Sequence, residues 1–251
     1  EASISHIIRG EDHVTNTGVQ IEIFEALGVV APRFAHLPLL IGADGEGLSK
    51  RLGSLGVAAI KEEGVEPIAM LSHLGKLGTS DAVEARPDLA TLAQEFSFDK
   101  IGRAPARFDL EELKRVNASV IHALSYEQVA QRLASIDADL GETFWNAVRA
   151  NLHAVHEAKI WADIVTGPIT PVIEDDAFAA AALSVLPVGP YDGESWKAFT
   201  EAVKTKTGAK GKSLFMPLRL ALTGMAHGPE MAAFFMLIGE AKARDRLGGK
   251  G

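Results

Sequence analysis

Two segments of this chain carry residue types that can do chemistry: Ile8-Arg-Gly-Glu-Asp-His13 and Gly47-Leu-Ser-Lys-Arg51. The second puts a hydroxyl and two adjacent cations on a short loop. It follows an apolar run, Phe34-Ala-His-Leu-Pro-Leu-Leu-Ile41, and a Gly-rich turn, Gly42-Ala-Asp-Gly-Glu-Gly47. Cations on a loop just beyond a strand end suit the holding of polyphosphate charge while a bond at phosphorus breaks. The first segment adds an arginine, two acids and a histidine. Taken alone, Arg9, Glu11 and Asp12 read better as residues that pair with one another and cap a helix at Thr15. The second segment, following in order, favours a site.

Both segments need strands to position them. Ile4–Ile8 reads as a short buried strand. Thr15 or Asn16 is a helix cap, and with Thr15 as cap Val14 and Val19 occupy the staple positions. Val19, Ile23 and Leu27 then share one helix face, and Gly28 supplies the stop. Phe34–Ile41 is the second strand, which completes a βαβ unit. In open parallel sheets ligands bind beyond the carboxyl ends of the strands, and both segments fall there. One such unit is too small to be a domain. With Glu1 first and a strand almost at once, the expectation is a larger doubly wound domain whose amino-terminal part lies outside this chain.

These segments, in this order and spacing, resemble the bacterial glutamyl-tRNA synthetase family of class I aminoacyl-tRNA synthetases. Ala104-Pro-Ala-Arg-Phe-Asp109, Leu214-Phe-Met-Pro-Leu-Arg219 and Ala221-Leu-Thr-Gly224 match it too. The resemblance implies ligation of glutamate to tRNA through a glutamyl-adenylate, with ATP as substrate. It makes Lys50 the loop lysine that holds ATP phosphates, with Leu48 beside it and Ser49 and Arg51 in support. It makes Arg9 the arginine that recognises the glutamate side-chain carboxylate. A planar fork suits that group. Asp12 and His13 fall beside the nucleotide and the tRNA end. Magnesium is expected with the ATP, with no ligand identifiable in the chain. The family usually has lysine where this chain has Gly47, so one phosphate-directed charge is absent and the loop is freer. Nothing here matches the family's His-Ile-Gly-His motif, which implies a carboxy-terminal fragment that lacks the first half of the catalytic domain and is inactive alone. The alternative is a noncatalytic tRNA-binding module.

The chain has 251 residues, a hydrophobic content of 47% and no cysteine. There are thus no disulfides and no thiolate metal site, as in a reducing cytoplasm. No apolar run approaches the roughly 18 residues of a membrane span, and no secretory signal opens the chain. The expected form is a cytoplasmic monomer. His153 and His156 stand at helical spacing without a third ligand and read as ordinary histidines. Net charge is −8, which argues against simple nucleic-acid binding. Locally the balance reverses. No acid falls between Ala202 and Pro229, where Lys204, Lys206, Lys210, Lys212 and Arg219 stand. One basic face can bind RNA on an acidic protein, and these five are the candidate RNA-binding residues. Trp145, Trp161 and Trp196 read as core.

After Ser54 the pattern is helical. Pro67 opens a helix with Ile68, Leu71 and Leu74 as its apolar face. Leu89–Phe96 and Leu110–Val116 follow, the latter capped by Asp109. Ser125 caps another helix, and Thr143–Thr166 reads as one long amphipathic helix. Helices near Asp176–Leu186, Ser195–Lys206, Met216–Thr223 and Pro229–Arg246 complete the chain. The expected fold is mainly α, with a partial Rossmann-type α/β segment at the start. The expected divisions are a partial nucleotide-binding domain (1–53), a stem-contact helical region (54–118) and two helical anticodon-binding subdomains (119–168 and 169–251). The glutaminyl relatives of the family carry β-barrels at that end.

Overall fold

A computed structural model describes residues 3–48 and 56–250. The chain divides into two units, Glu1–Val120 and Ile121–Gly251. Ser49, Lys50 and Arg51 lie outside the described residues.

In the first unit, β1 (His6–Gly10) pairs in parallel with β2 (Arg33–Leu37), and α1 (Val14–Ala26) connects them. The expected strand to Ile41 is interrupted. β3 (Leu40–Gly42) leaves β2 behind and pairs in parallel with β4 (Ala106–Phe108). Pro38 stands at the break, where its missing N–H cannot continue a ladder. The Leu39 carbonyl accepts instead from the Ala106 N–H at 2.9 Å.

α1 starts one residue before the expected caps. A single 3₁₀ turn, Glu11–His13, runs straight into Val14, so Thr15 and Asn16 lie inside the first turn. Gly28, at φ +70°, closes the helix, and the Val29 N–H returns to the Phe24 carbonyl. The face expected to be buried is open: Val19, Ile23 and Leu27 are 57%, 53% and 71% exposed. Two strands give too narrow a surface to cover a helix on that side. Thr17 is the one residue of α1 that is buried.

α2 (Val57–Glu62), α3 (Pro67–Lys76), α4 (Leu89–Glu95) and α5 (Leu110–Ala123) follow. Pro67 takes the first turn of α3 as expected, yet the helix turns its other face inward. Ala69, Ser72, His73 and Lys76 are buried, while Leu71 and Leu74 are exposed. Charge explains the inversion. The Lys76 ammonium lies 3.0 Å from Asp81 and 2.6 Å from Glu95. Lys100 holds Asp81 at 2.9 Å and Arg86 holds Glu95 at 2.9 Å. A buried cation is tolerable only when paired, and this network ties α3 to residues 81–100.

The second unit contains α6 (Tyr126–Ser135), α7 (Glu142–Val148), α8 (Ala158–Thr166), α9 (Asp176–Ser184), α10 (Ser195–Thr207), α11 (Lys212–Thr223) and α12 (Met231–Leu247). Ser125 forms a capping box with Gln128. The long helix expected over Thr143–Thr166 is two helices. Between them the chain is extended at Leu152 and Ala154. Buried Leu152 turns its carbonyl to the His122 ring (3.1 Å), and the His153 N–H goes to Glu157 (2.7 Å). Those side chains satisfy the backbone that a continuous helix would have paired internally. A single core runs through the unit, with Phe144, Trp145, Phe199, Phe234 and Phe235 at its centre. Trp145 and Trp161 are buried and Trp196 packs against the core, as their spacing predicts. Among the described residues no strand follows Phe108, and no helix is long and apolar enough to cross a membrane.

Candidate active site and anticodon-binding unit

The parallel pairing of β1 with β2 puts both strand ends on one side. Arg9 stands opposite His36 in the register, and Gly10 opposite Leu37. Beyond the two ends lies an open cleft of about 290 Å³ whose lining includes Glu11, His36, Pro38 and Arg103. A second cleft, about 280 Å³, lies beyond the ends of β3 and β4 and is lined by Asp44, Gly47, Leu48 and Asp109 among others. Both clefts stand where parallel sheets bind ligands. The second holds the Gly-rich turn: the Gly42 N–H bonds the Glu46 carbonyl at 2.7 Å, and Gly45 takes φ +86°. Arg107, on the paired strand, donates to the Ala43 carbonyl at 3.2 Å. Leu48 is thus at a cleft. Ser49, Lys50 and Arg51 follow it in sequence, outside the described residues.

Arg9 does not pair with Glu11 or Asp12 as a simple cap would require. Its Nη2 donates to Thr17 Oγ1 at 2.5 Å and to Gln20 Oε1 at 2.7 Å, both on α1. Its guanidinium carbon lies 5.3 Å from the centre of the Phe34 ring. Thr17 gives its one proton to the His13 carbonyl at 3.0 Å. It therefore accepts from His36 Nε2 at 2.9 Å, which assigns the proton of that ring to Nε2. Sequence reasoning missed Thr17, Gln20 and His36. The signal was present in part: a threonine and a glutamine three residues apart lie on one helix face. Asp12 and His13 sit on the exposed turn after β1, 3.8 Å apart. A Cβ at Gly10 would lie 2.5 Å from the Asp12 carboxylate oxygen.

In the second unit the basic segment folds into the end of α10, a turn with Gly208 at φ +74° and Gly211 at φ +54°, and the start of α11. Lys206, Lys210 and Lys212 are exposed along it. Lys204 is engaged by Glu201 at 3.0 Å from both carboxylate oxygens. Arg219 turns into its own unit: Nη2 donates to the Pro229 carbonyl at 2.8 Å, and Nη1 is buried without a partner. Burial holds its pKa below the usual guanidinium value. The five candidates thus separate into three open lysines, one paired lysine and one inward arginine. Among the described residues no three His, Asp or Glu side chains converge as a metal site.

The family described as tRNA synthetases class I (E and Q), catalytic domain, matches residues 2–115, and an anticodon binding domain matches residues 177–249. The chain is thus similar to a class I tRNA synthetase catalytic domain in its first part and to an anticodon binding domain in its last. Over its whole length the chain is a homologue of glutamate–tRNA ligases. It is 55% identical to glutamate–tRNA ligase 1 of Maricaulis maris over 251 residues, which are 100% of this chain and 56% of that protein. It is also 55% identical to glutamate–tRNA ligase 2 of Hyphomonas neptunium over 250 residues, 98% of this chain and 56% of that protein. The chain thus spans a little over half the length of these relatives. The fold agrees with a crystal structure of a glutamate tRNA ligase from Elizabethkingia meningosepticum in complex with its amino acid. The TM-score is 0.82 at 22% identity, over 98% of this chain and 56% of that one.

Proposed function

We propose that this chain serves in the ligation of glutamate to tRNA, in a cytoplasmic and monomeric enzyme. The observation that carries the reading is the whole-chain identity of 55% to a glutamate–tRNA ligase. The strand-end geometry agrees with it. Residues 1–53 supply part of the nucleotide and amino-acid site, 54–118 contact the tRNA stem, and 119–168 with 169–251 hold the anticodon end.

In the proposed reaction the α-carboxylate of glutamate attacks the α-phosphorus of ATP, and pyrophosphate leaves. The terminal ribose hydroxyl of tRNA then takes the glutamyl group and releases AMP. The protein positions the reactants and stabilises negative charge. Arg9 grips the side-chain carboxylate of glutamate and so fixes which carboxylate faces ATP. Lys50 opposes the charge that builds on the phosphates, with Ser49 and Arg51 supporting its loop and Leu48 against the nucleotide. Asp12 and His13 stand on the exposed turn between nucleotide and tRNA end. Magnesium bound to ATP would neutralise phosphate charge. It keeps mostly water and phosphate ligands, and the described residues offer it no cage.

The test is glutamate-dependent pyrophosphate exchange with tRNA present, run on the full natural protein carrying this chain. Exchange that falls roughly 100-fold or more in Lys50→Ala, with little change in glutamate affinity, supports the reading. Binding of tRNA without exchange in the parent protein would instead make the chain a noncatalytic tRNA-binding module.

A further inference from the structure

The Arg9 guanidinium is already occupied, and the pattern of occupation is specific. A guanidinium offers five N–H groups in a plane. A carboxylate grips it bidentately along one of two edges, Nε with Nη2 or Nη1 with Nη2. Nη2 belongs to both edges. Its two hydrogens go to Thr17 Oγ1 at 2.5 Å and Gln20 Oε1 at 2.7 Å. A carboxylate can therefore take either edge only if Thr17 or Gln20 gives way.

The two are not equally free to do so. Thr17 is 7% exposed, and its oxygen is also engaged by the His13 carbonyl and His36 Nε2. Gln20 is only half-buried, on a long side chain, and its amide oxygen meets Arg9 alone. Arg9 Nε is buried with no acceptor at all. An orphaned buried N–H costs roughly 1–3 kcal/mol, a cost that a second acceptor at this edge would remove. Phe34 under the guanidinium keeps the plane fixed while partners exchange.

We infer that Gln20 is a placeholder for the substrate: its amide oxygen occupies the seat of one carboxylate oxygen at Arg9 and is displaced when the amino acid binds. Thr17, locked by His13 and His36, is the positioning residue that keeps Arg9 aimed during the exchange. The inference rests on the proposed role of Arg9. It adds that selectivity for a charged side chain is set by competition. A neutral amide such as Gln20 yields to a carboxylate, because charge-assisted hydrogen bonds are roughly twice as strong as neutral ones. A free amide substrate gains nothing over the one already there.

The inference is tested in the full natural protein by calorimetric titration with L-glutamate and by thermal melting. Gln20→Glu gives Arg9 a permanent internal carboxylate. Glutamate affinity should fall at least about tenfold while Tm rises. Gln20→Ala removes the competitor, so affinity should improve about threefold while Tm falls. A residue with a merely structural role would move affinity and Tm in the same direction. Unchanged glutamate affinity in Gln20→Glu overturns the placeholder, as does weakened affinity in Gln20→Ala. Arg9→Ala separates the two levels. If it loses glutamate while Gln20→Glu keeps it, only the placeholder fails; if it binds normally, the reading of Arg9 fails as well.

Discussion

Arg246 and Lys242, one turn apart on α12, both donate to the last carbonyls of α8. Lys242 Nζ meets the Val165 carbonyl at 2.6 Å, and Arg246 Nη2 meets Ile164 at 2.6 Å and Gly167 at 3.2 Å. Arg246 Nη1 also reaches the Leu222 carbonyl, near the end of α11, at 2.8 Å. Arg246 is 2% exposed. Its counter-charge is the converging negative ends of two helices, which leave their final carbonyls unpaired. Burial lowers the pKa of both cations, and Arg246 lowers that of Lys242 further. One side chain thus closes two helices, and it should be the most sensitive polar position in the second unit.

Arg246→Met keeps most of the volume and removes the donors. It should destabilise the second unit by about 3 kcal/mol, the usual cost of stranding buried acceptors. Arg246→Lys should recover less than half, because one ammonium cannot serve two helix ends. All three tryptophans lie in this unit, so fluorescence in a urea titration reads it directly. An Arg246→Met midpoint equal to the parent's would reject the keystone role.

Signals confined to a few neighbouring residues were legible in the sequence. Ser125 with Gln128 capped α6, Pro67 opened α3, and Gly28 closed α1, since each acts through its own backbone. Faces were less legible. On α3 the apolar residues Leu71 and Leu74 turned outward, because Lys76 took its partners from Asp81 and Glu95, five and nineteen residues on. The pairing of Arg9 with Gln20, eleven residues away, was invisible for the same reason. The break at Leu152 depended on the His122 ring, thirty residues back. Where a contact spans elements, hydrophobic period alone does not choose the face.

Gly228 supports the same unit in another way. It takes φ +143°, and a Cβ there would lie 2.1 Å from the Trp161 ring. That ring is 8% exposed and packs edge-on against Phe234 at 5.8 Å. Gly228→Ala must strain its own backbone and push the indole aside, at about 1–3 kcal/mol for each effect. The expected result is a lower urea midpoint with a shifted tryptophan emission in the folded state. Unchanged emission would show that the loop, not the ring, gives way.

In the first unit, His73 should make stability depend on pH. It is fully buried, both ring nitrogens lack hydrogen-bond partners, and it packs edge-on to Phe108 at 5.1 Å. Burial lowers its pKa from 6.5, against the opposing pull of Glu112, 3.7 Å away, and of Asp109. With the folded value below the unfolded one, the unfolded chain binds more protons in the window beneath pH 6.5. Stability is therefore full above that pH and is lost as pH falls, by at most about 1.4 kcal/mol per pH unit. Hydrogen exchange of α3 amides at pH 7.5 and 5.5, corrected for intrinsic rates, should show weaker protection at the lower pH. His73→Phe should flatten the difference. A parent protein equally protected at both values would remove His73 as the cause.

The exposed lysines carry the last prediction. Lys206, Lys210 and Lys212 line the end of α10 and the start of α11, while Lys204 is engaged by Glu201 and Arg219 by the Pro229 carbonyl. Binding of tRNA by this chain, despite a net charge of −8, should depend on those three. Each phosphate neutralised releases roughly one counterion, so affinity should fall steeply with salt. Replacing the three together by alanine should weaken binding to every tRNA and reduce the salt slope, because phosphate contacts carry no base information. Arg219→Ala should behave differently. Its bond to the Pro229 carbonyl makes loss of stability the first effect, and a change in anticodon preference at unchanged Tm would show instead that it reads a base. Filter binding at several salt concentrations decides the lysines. Unchanged affinity of the triple variant at low salt would make them a solvated surface and place the RNA face elsewhere.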